Sequence, residues 1–173
     1  MIILLSLLSS AFFSGMEIAY VSSNRLNLEI EKKQKGIIPK LLSIITKDPS
    51  RFISTMLIGN SFALVIYGLF MGQFIVENLS FLFLPSLNEL TILLLQTIIS
   101  TSLILIAAEF IPKVLFQIYS NLSMKIFSIP AFIFYIILYP ITSLVTITSN
   151  FILKTFFKAV SYTHLTLPTI LLV

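Results

Sequence analysis

The sequence predicts an all-α polytopic membrane protein with three transmembrane helices, a cytoplasmic helical hairpin between the first two, and a hydrophobic juxtamembrane belt helix. Its composition indicates this class, because 57% of the 173 residues are hydrophobic, 10% are charged and the mean hydropathy is +1.04. Soluble domains average about 25% charged residues. The apolar residues also fall into three runs, each close to the roughly 20 residues that a helix needs to cross hydrocarbon.

The composition also excludes several classes of site. The sequence has no cysteine, so it forms no disulfide and has no thiolate metal ligand or cysteine nucleophile. It has one histidine, His164, which alone cannot build a multi-histidine metal site. The net charge is +4, but the basic residues lie beside apolar runs, where the positive-inside rule explains them. The lipid bilayer is therefore the expected partner, and nucleic acid is not.

Residues 1–22 form the first predicted crossing, an apolar run interrupted by serines and by Glu17. A cleaved signal peptide is the alternative interpretation. No Lys or Arg precedes the apolar core, however, and no clear small-x-small cleavage site follows it. A membrane-spanning helix therefore explains this segment better.

Residues 23–51 change character, with seven basic residues against three acidic ones. Two short amphipathic stretches flank Gly36 and Pro39, which predicts a helical hairpin at the membrane surface. Its basic character places the hairpin on the cytoplasmic side of the cell's inner (plasma) membrane, with the N-terminus outside.

Residues 52–76 and 90–111 are the second and third predicted crossings. The loop between them holds two acidic residues and no basic one, as an outer loop should. Gly68-x-x-x-Gly72 in the second crossing permits close helix contact, either within the chain or across a dimer.

Residues 122–153 are apolar but interrupted by Pro130 and Pro140, and they are too short for two crossings and a turn. A kinked juxtamembrane element on the cytoplasmic side is the preferred interpretation, and a fourth crossing is the alternative. Residues 159–173 are expected to be a non-native read-through tail, so the chain is predicted to be truncated.

Two carboxylates, Glu17 and Glu109, fall within the predicted crossings, where an ionisable group is costly and usually functional. Ser14 lies three residues before Glu17 and therefore on the same helix face. Gly15 permits close approach of another backbone or an ion, and Asn60 adds an amide oxygen in the second crossing. Oxygen ligands without sulfur or imidazole suit a hard cation such as Mg²⁺, Ca²⁺ or Na⁺.

The depths of these residues agree only in part. Glu17 and Asn60 lie about 12 and 13 Å from the basic residues that flank their helices, whereas Glu109 lies only about 6 Å from Lys113. A helix break at Pro112, or snorkelling of Lys113, would reduce this mismatch.

Each of these residues also has a purely structural interpretation. Ser14 could bond to its own helix backbone, Asn60 could hold two helices together, and either glutamate could be protonated or snorkel. The two carboxylates have no nucleophile–base pair or phosphate loop beside them, so an enzyme is not expected.

Five motifs occur in order between about Leu8 and Leu153 and together resemble one known family. They are Ser10-Ala-Phe-Phe-Ser-Gly-Met-Glu-Ile-Ala19, Asn24-Arg-Leu26, Asp48-Pro with Arg51-Phe, Leu57-Ile-Gly-Asn60 and Glu109-Phe-Ile-Pro-Lys113. They are similar to the successive signatures of the CorC/cyclin M (CNNM) transmembrane domain, found in haemolysin-like, CBS-domain-containing divalent cation transporters.

The resemblance implies a homodimer in which the juxtamembrane helix belts two copies of a three-crossing domain. It implies Mg²⁺ as the transported ion, chiefly in efflux coupled to Na⁺. In this family a CBS-domain pair that binds adenine nucleotide, and often a CorC-type C-terminal domain, follow the membrane domain. Neither is present in this sequence.

The resemblance also implies the site. Side-chain oxygens of Ser14, Asn60 and Glu109, with the backbone around Gly15, would line a cation site open to the cytoplasm, and Glu17 would add negative potential. Three further motif positions, Gly59, Pro112 and Lys113, are expected to be structural, with Lys113 anchoring the helix end. A non-transporting membrane scaffold, for example a gliding-motility-associated relative, is the alternative function.

Overall fold

The computed structural model describes residues 1–83 and 88–157, and within those ranges it contains helices and short connections but no strand. The helices are α1 (Ile2–Ser22), α2 (Arg25–Lys32), α3 (Ile37–Ile45), α4 (Pro49–Phe83), α5 (Glu89–Leu103), a π-helical segment (Ile104–Phe110), α6 (Ile111–Ile118), α7 (Ser120–Ile126), α8 (Ser128–Ile137) and α9 (Tyr139–Phe157). Three stretches are long and apolar enough to span a membrane: Ile2–Ser22, Pro49–Asn78 and Glu89–Ile118. The predicted all-α membrane architecture is confirmed.

Short polar side chains and one glycine set the boundaries of the hairpin between α1 and α4. Asn24 Oδ1 accepts a hydrogen bond of 2.9 Å from the Leu26 amide and so caps α2. Gly36 has a φ of +145°, which other residues rarely adopt, and turns the chain from α2 into α3. Asp48 Oδ1 accepts a hydrogen bond of 3.1 Å from the Arg51 amide in the first turn of α4.

Helix α1 lies at the centre of the bundle and packs against α4, α6, α7 and the π segment. The main core joins α1 to both hairpin helices and to α4, α7 and α8: it consists of Phe13, Met16, Ala19, Leu28, Leu42, Ile45, Phe52, Met56, Met124, Ala131 and Tyr135. Any polar side chain on the inner face of α1 is therefore held between several helices.

Both later spans are longer than the predicted crossings. Helix α4 extends beyond residues 52–76 at both ends, and the third span continues past residue 111 to Ile118. Pro112 lies in the first turn of α6 and does not end the helix. The preceding turns widen into the π segment, which is one way in which a membrane helix accommodates a proline.

The apolar stretch that follows folds as α7 and α8, which meet at a bend of 66°, and then α9. Ser120 at the start of α7 donates a hydrogen bond of 3.3 Å to the carbonyl of Ser22 at the end of α1. Tyr139, just after α8, accepts one of 3.3 Å from Arg51 at the start of α4. The α7–α8 pair thus begins and ends at the same edge of the bundle, which favours the juxtamembrane belt over a fourth crossing by this pair.

Cysteine labelling tests this topology, since the sequence has no native cysteine to interfere. Leu144→Cys, at an exposed position of α9, should react with a membrane-impermeant maleimide only after the membrane is permeabilised. Lys35→Cys in the hairpin should behave in the same way, and Asn88→Cys at the start of α5 should react in intact cells. Labelling of Leu144→Cys from outside would contradict the belt.

Candidate cation site

One face of α1 carries three polar side chains at successive turns, Ser10, Ser14 and Glu17. Ser10 and Ser14 are buried, with 1% and 0% of their surface exposed. Ser10 Oγ donates a hydrogen bond of 2.6 Å to Asn60 Oδ1 and so joins α1 to α4. Asn60 therefore reaches the polar face of α1, but its side-chain oxygen already has one partner.

The Ser14 hydroxyl is buried and has no hydrogen-bond partner. Serine in a helix usually donates to a backbone carbonyl one turn earlier, as Ser6 does to the Ile3 carbonyl at 2.8 Å. The structural interpretation of Ser14 as a self-bonded serine is therefore not what the structure shows. A buried polar group without a partner is uncommon and calls for an explanation such as a bound water or ion.

Two glycines bring neighbouring helices close to this face. A Cβ atom at Gly15 would lie 2.7 Å from the ring of Phe116 on α6. A Cβ atom at Gly59 would collide with the ring of Phe13 on α1. Both glycines are thus required by packing, and Gly59 places the neighbouring Asn60 against α1.

Glu109 lies on the third span and forms an ion pair with Lys113, with 3.5 Å between Oε2 and Nζ. The side chains are 29% and 43% exposed, so the pair is only partly buried within the chain. Glu17 on α1 lies within electrostatic range of both charges. Lys113 is in the interior of the continuous third span, where it pairs with Glu109 and is not at a helix end.

Glu109 is part of the π segment, Ile104–Phe110. This seven-residue segment includes a hydrogen bond from the amide of Ile111 to the carbonyl of Ile106, five residues earlier. π-helical turns are rare and occur frequently at functional sites. The candidate ligand with the strongest charge therefore lies on the least regular part of the three spans.

Residues 1–167 match the cyclin M transmembrane N-terminal domain. The chain belongs to this CNNM family. The family membership that the five sequence motifs predicted is thereby confirmed. The family is generally associated with divalent cation transport. A comparison with curated proteins gives no significant match. The family match extends into the predicted non-native tail, whose residues 159–173 lie outside the described part, so that boundary stays a prediction.

The cyclin M domain places its candidate ligands on three elements that meet at the central helix: α1, α4 and the π segment. Asn60 lies at the level of Ser10, to which it is hydrogen-bonded, and Glu109 lies within electrostatic range of Glu17. Within the described residues no hydrogen bond joins Asn60 to Glu109. Ser14 lies between Ser10 and Glu17 on the same face of α1.

A cation site in this CNNM domain would need neutral oxygens as well as carboxylates. Among the described residues there is no cluster of three or more His, Cys, Asp or Glu side chains that could hold a metal. Hydroxyl, amide and backbone oxygens must therefore complete any coordination shell, which is the ligand set of a hard cation.

Sequence reasoning did not identify two contributors to the site, Ser10 and Phe116. Ser10 occurs one turn before Ser14 in the same motif, so the helical spacing already placed it on this face. Phe116 carries no such signal, because its contact with Gly15 depends on how α6 packs against α1.

Proposed function

We propose that this CNNM domain transports Mg²⁺ or a related divalent cation out of the cell in exchange for Na⁺. The observation that best supports this function is the buried, unpartnered hydroxyl of Ser14, because it is an oxygen ligand without a structural role of its own. It lies on the central helix between Ser10, which is hydrogen-bonded to the Asn60 amide oxygen of α4, and the Glu17 carboxylate.

Each ligand has a distinct part in the proposed mechanism. The Ser14 hydroxyl, the backbone around Gly15 and the Glu109 carboxylate contact a partly dehydrated ion, and Glu17 adds negative potential. Asn60 joins them when its oxygen leaves Ser10 or accepts the ion as a second partner. Movement of the helices then gives the site an open and a closed state during alternating access.

Lys113 supplies a cation that competes with the transported ion. Its ammonium group neutralises Glu109 in the present structure. An arriving divalent cation displaces the ammonium group, which can turn away from Glu109 because the long side chain is only partly buried within the chain. Return of Lys113 would favour ion release, so the carboxylate is never left unpaired in the membrane.

We also propose that the protein is a homodimer in the inner (plasma) membrane, with residues 23–51 in the cytoplasm. Gly68 on α4 faces open space, whereas Gly72 packs beside Gln96 of α5. Only part of the Gly68-x-x-x-Gly72 motif is thus used within the chain. Adenine nucleotide would act only through a CBS-domain pair beyond this domain.

A second candidate function is a non-transporting membrane scaffold. It is favoured by the 2.6 Å hydrogen bond between Ser10 and Asn60, because that contact gives Asn60 a structural role. Ion flux separates the two functions, since a scaffold could bind an ion without moving it.

Flux through the intact chain in liposomes tests the proposal. With an Mg²⁺ indicator on one side of the membrane, Mg²⁺ movement should require an opposing Na⁺ gradient and should fall in Asn60→Ala. Empty liposomes and liposomes without the Na⁺ gradient are the controls. Absence of flux from folded protein would favour the scaffold.

A further inference from the structure

A cavity of about 390 Å³ lies between α2 and the adjoining ends of α1 and α4. Its apolar wall includes Tyr20 and Ile53, and its polar wall includes Arg25, Glu29 and Lys32. We propose that this cavity binds the phosphate headgroup of an anionic phospholipid. The site is separate from the candidate cation site and does not depend on the proposed transport function.

The two walls of the cavity come from different environments. Tyr20 is in the last turn of the first span and Ile53 is in the first turns of the second. Arg25 and Lys32 are at opposite ends of α2, in the predicted cytoplasmic hairpin. The cavity therefore lies where hydrocarbon meets the headgroup layer, and Tyr20 is a residue type enriched at that level.

Arg25 supplies the uncompensated positive charge. It is exposed and forms no ion pair with any described residue. Lys32 is instead paired with Glu29 at 2.6 Å, and this contact lowers the pKa of the Glu29 carboxyl, which keeps it ionised. Arginine binds phosphate through two parallel N–H donors, which suits it to hold a headgroup.

The two aliphatic hydroxyl groups at the cavity are already used within the protein. Ser23 Oγ donates to the carbonyl of Tyr20 at 2.7 Å, and Thr46 Oγ1 donates to the carbonyl of Leu42 at 2.7 Å. They are therefore not free to donate to an anion, which leaves the basic side chains as the charged donors at the cavity.

A membrane lipid fits the cavity better than a soluble anion does. Residues 23–51 hold seven basic and three acidic residues, a difference of +4, which attracts the anionic lipids of the cytoplasmic leaflet. The apolar wall formed by Tyr20, Val21 and Ile53 continues onto the spanning helices, where acyl chains lie. A free phosphate would leave that wall in contact with water.

The test compares two variants with the same change in charge. The intact chain is placed in phosphatidylcholine nanodiscs with and without phosphatidylglycerol, and retained lipid is measured by native mass spectrometry. Arg25→Gln should retain phosphatidylglycerol at least about tenfold less than the wild type. Lys35→Gln, on the same hairpin but outside the cavity, should retain it normally, and Arg25→Lys should be intermediate.

Three results would overturn the proposal. If Arg25→Gln and Lys35→Gln lose phosphatidylglycerol equally, the lipid is held by the general positive charge of the surface and not by the cavity. If all variants retain phosphatidylglycerol equally, Arg25 does not bind the lipid. Displacement of the lipid by millimolar inorganic phosphate would assign the cavity to a soluble anion. Size-exclusion profiles that match the wild type confirm that each variant is folded.

Discussion

Replacing Gly59 with alanine is expected to force α1 and α4 apart and to destabilise the domain. The new Cβ atom would collide with the ring of Phe13, which is only 4% exposed and packs at 4.8 Å from the ring of Phe134. Overpacking of this kind costs about 1–3 kcal/mol, which should lower the thermal unfolding temperature in detergent.

Gly68→Ala is the matched control for this substitution. Gly68 is on the same helix, and a Cβ atom there meets nothing within 4 Å. Alanine is favoured over glycine in helices by about 1 kcal/mol, so the unfolding temperature should stay the same or rise. If Gly59→Ala is as stable as Gly68→Ala, the close contact between α1 and α4 is not present in the membrane protein.

Replacing Glu109 with glutamine is expected to have the largest effect on ion binding. The substitution keeps the shape of the side chain but removes the only carboxylate on the π segment. Interactions with a charged group contribute about 1.5–3 kcal/mol, so the affinity for Mg²⁺ should fall by about 10- to 100-fold. Isothermal titration of the purified protein with Mg²⁺ measures this change.

Glu89→Gln is the control for the loss of one negative charge. Glu89 is exposed at the first residue of α5, far from the polar face of α1, and its replacement should leave Mg²⁺ affinity unchanged. Ser14→Ala and Asn60→Ala complete the series. Unchanged Mg²⁺ binding in all three of Glu109→Gln, Ser14→Ala and Asn60→Ala would defeat the ligand assignment.

The fold could be predicted from the sequence because apolar runs and charge patterns are visible in short stretches of the chain. The length of each run indicates a spanning helix, and the basic residues of the hairpin indicate its side of the membrane. The π segment could not be predicted in this way. Pro112 suggested a helix break, but the structure keeps the helix continuous by widening the turns before the proline.

For the candidate site, the sequence predicted only the set of residue types and not their arrangement. The spacing of Ser14 and Glu17 on one helix face follows from the helical period. Whether Ser14 bonds to its own backbone, and whether Asn60 is committed to Ser10, depends on side-chain geometry that the sequence does not encode locally. The position of Asn60 relative to Glu109 likewise depends on how α1, α4 and the third span pack together.

Mg²⁺ flux through Ser14→Ala and Ser6→Ala liposomes tests the central claim most directly. Both serines are buried on α1, but Ser6 donates to the carbonyl of Ile3 whereas Ser14 has no partner. Under the same Na⁺ gradient, Ser6→Ala should transport Mg²⁺ at the wild-type rate and Ser14→Ala at least about tenfold more slowly. Equal Mg²⁺ flux in the two variants would contradict a transport path that uses the Ser14 hydroxyl.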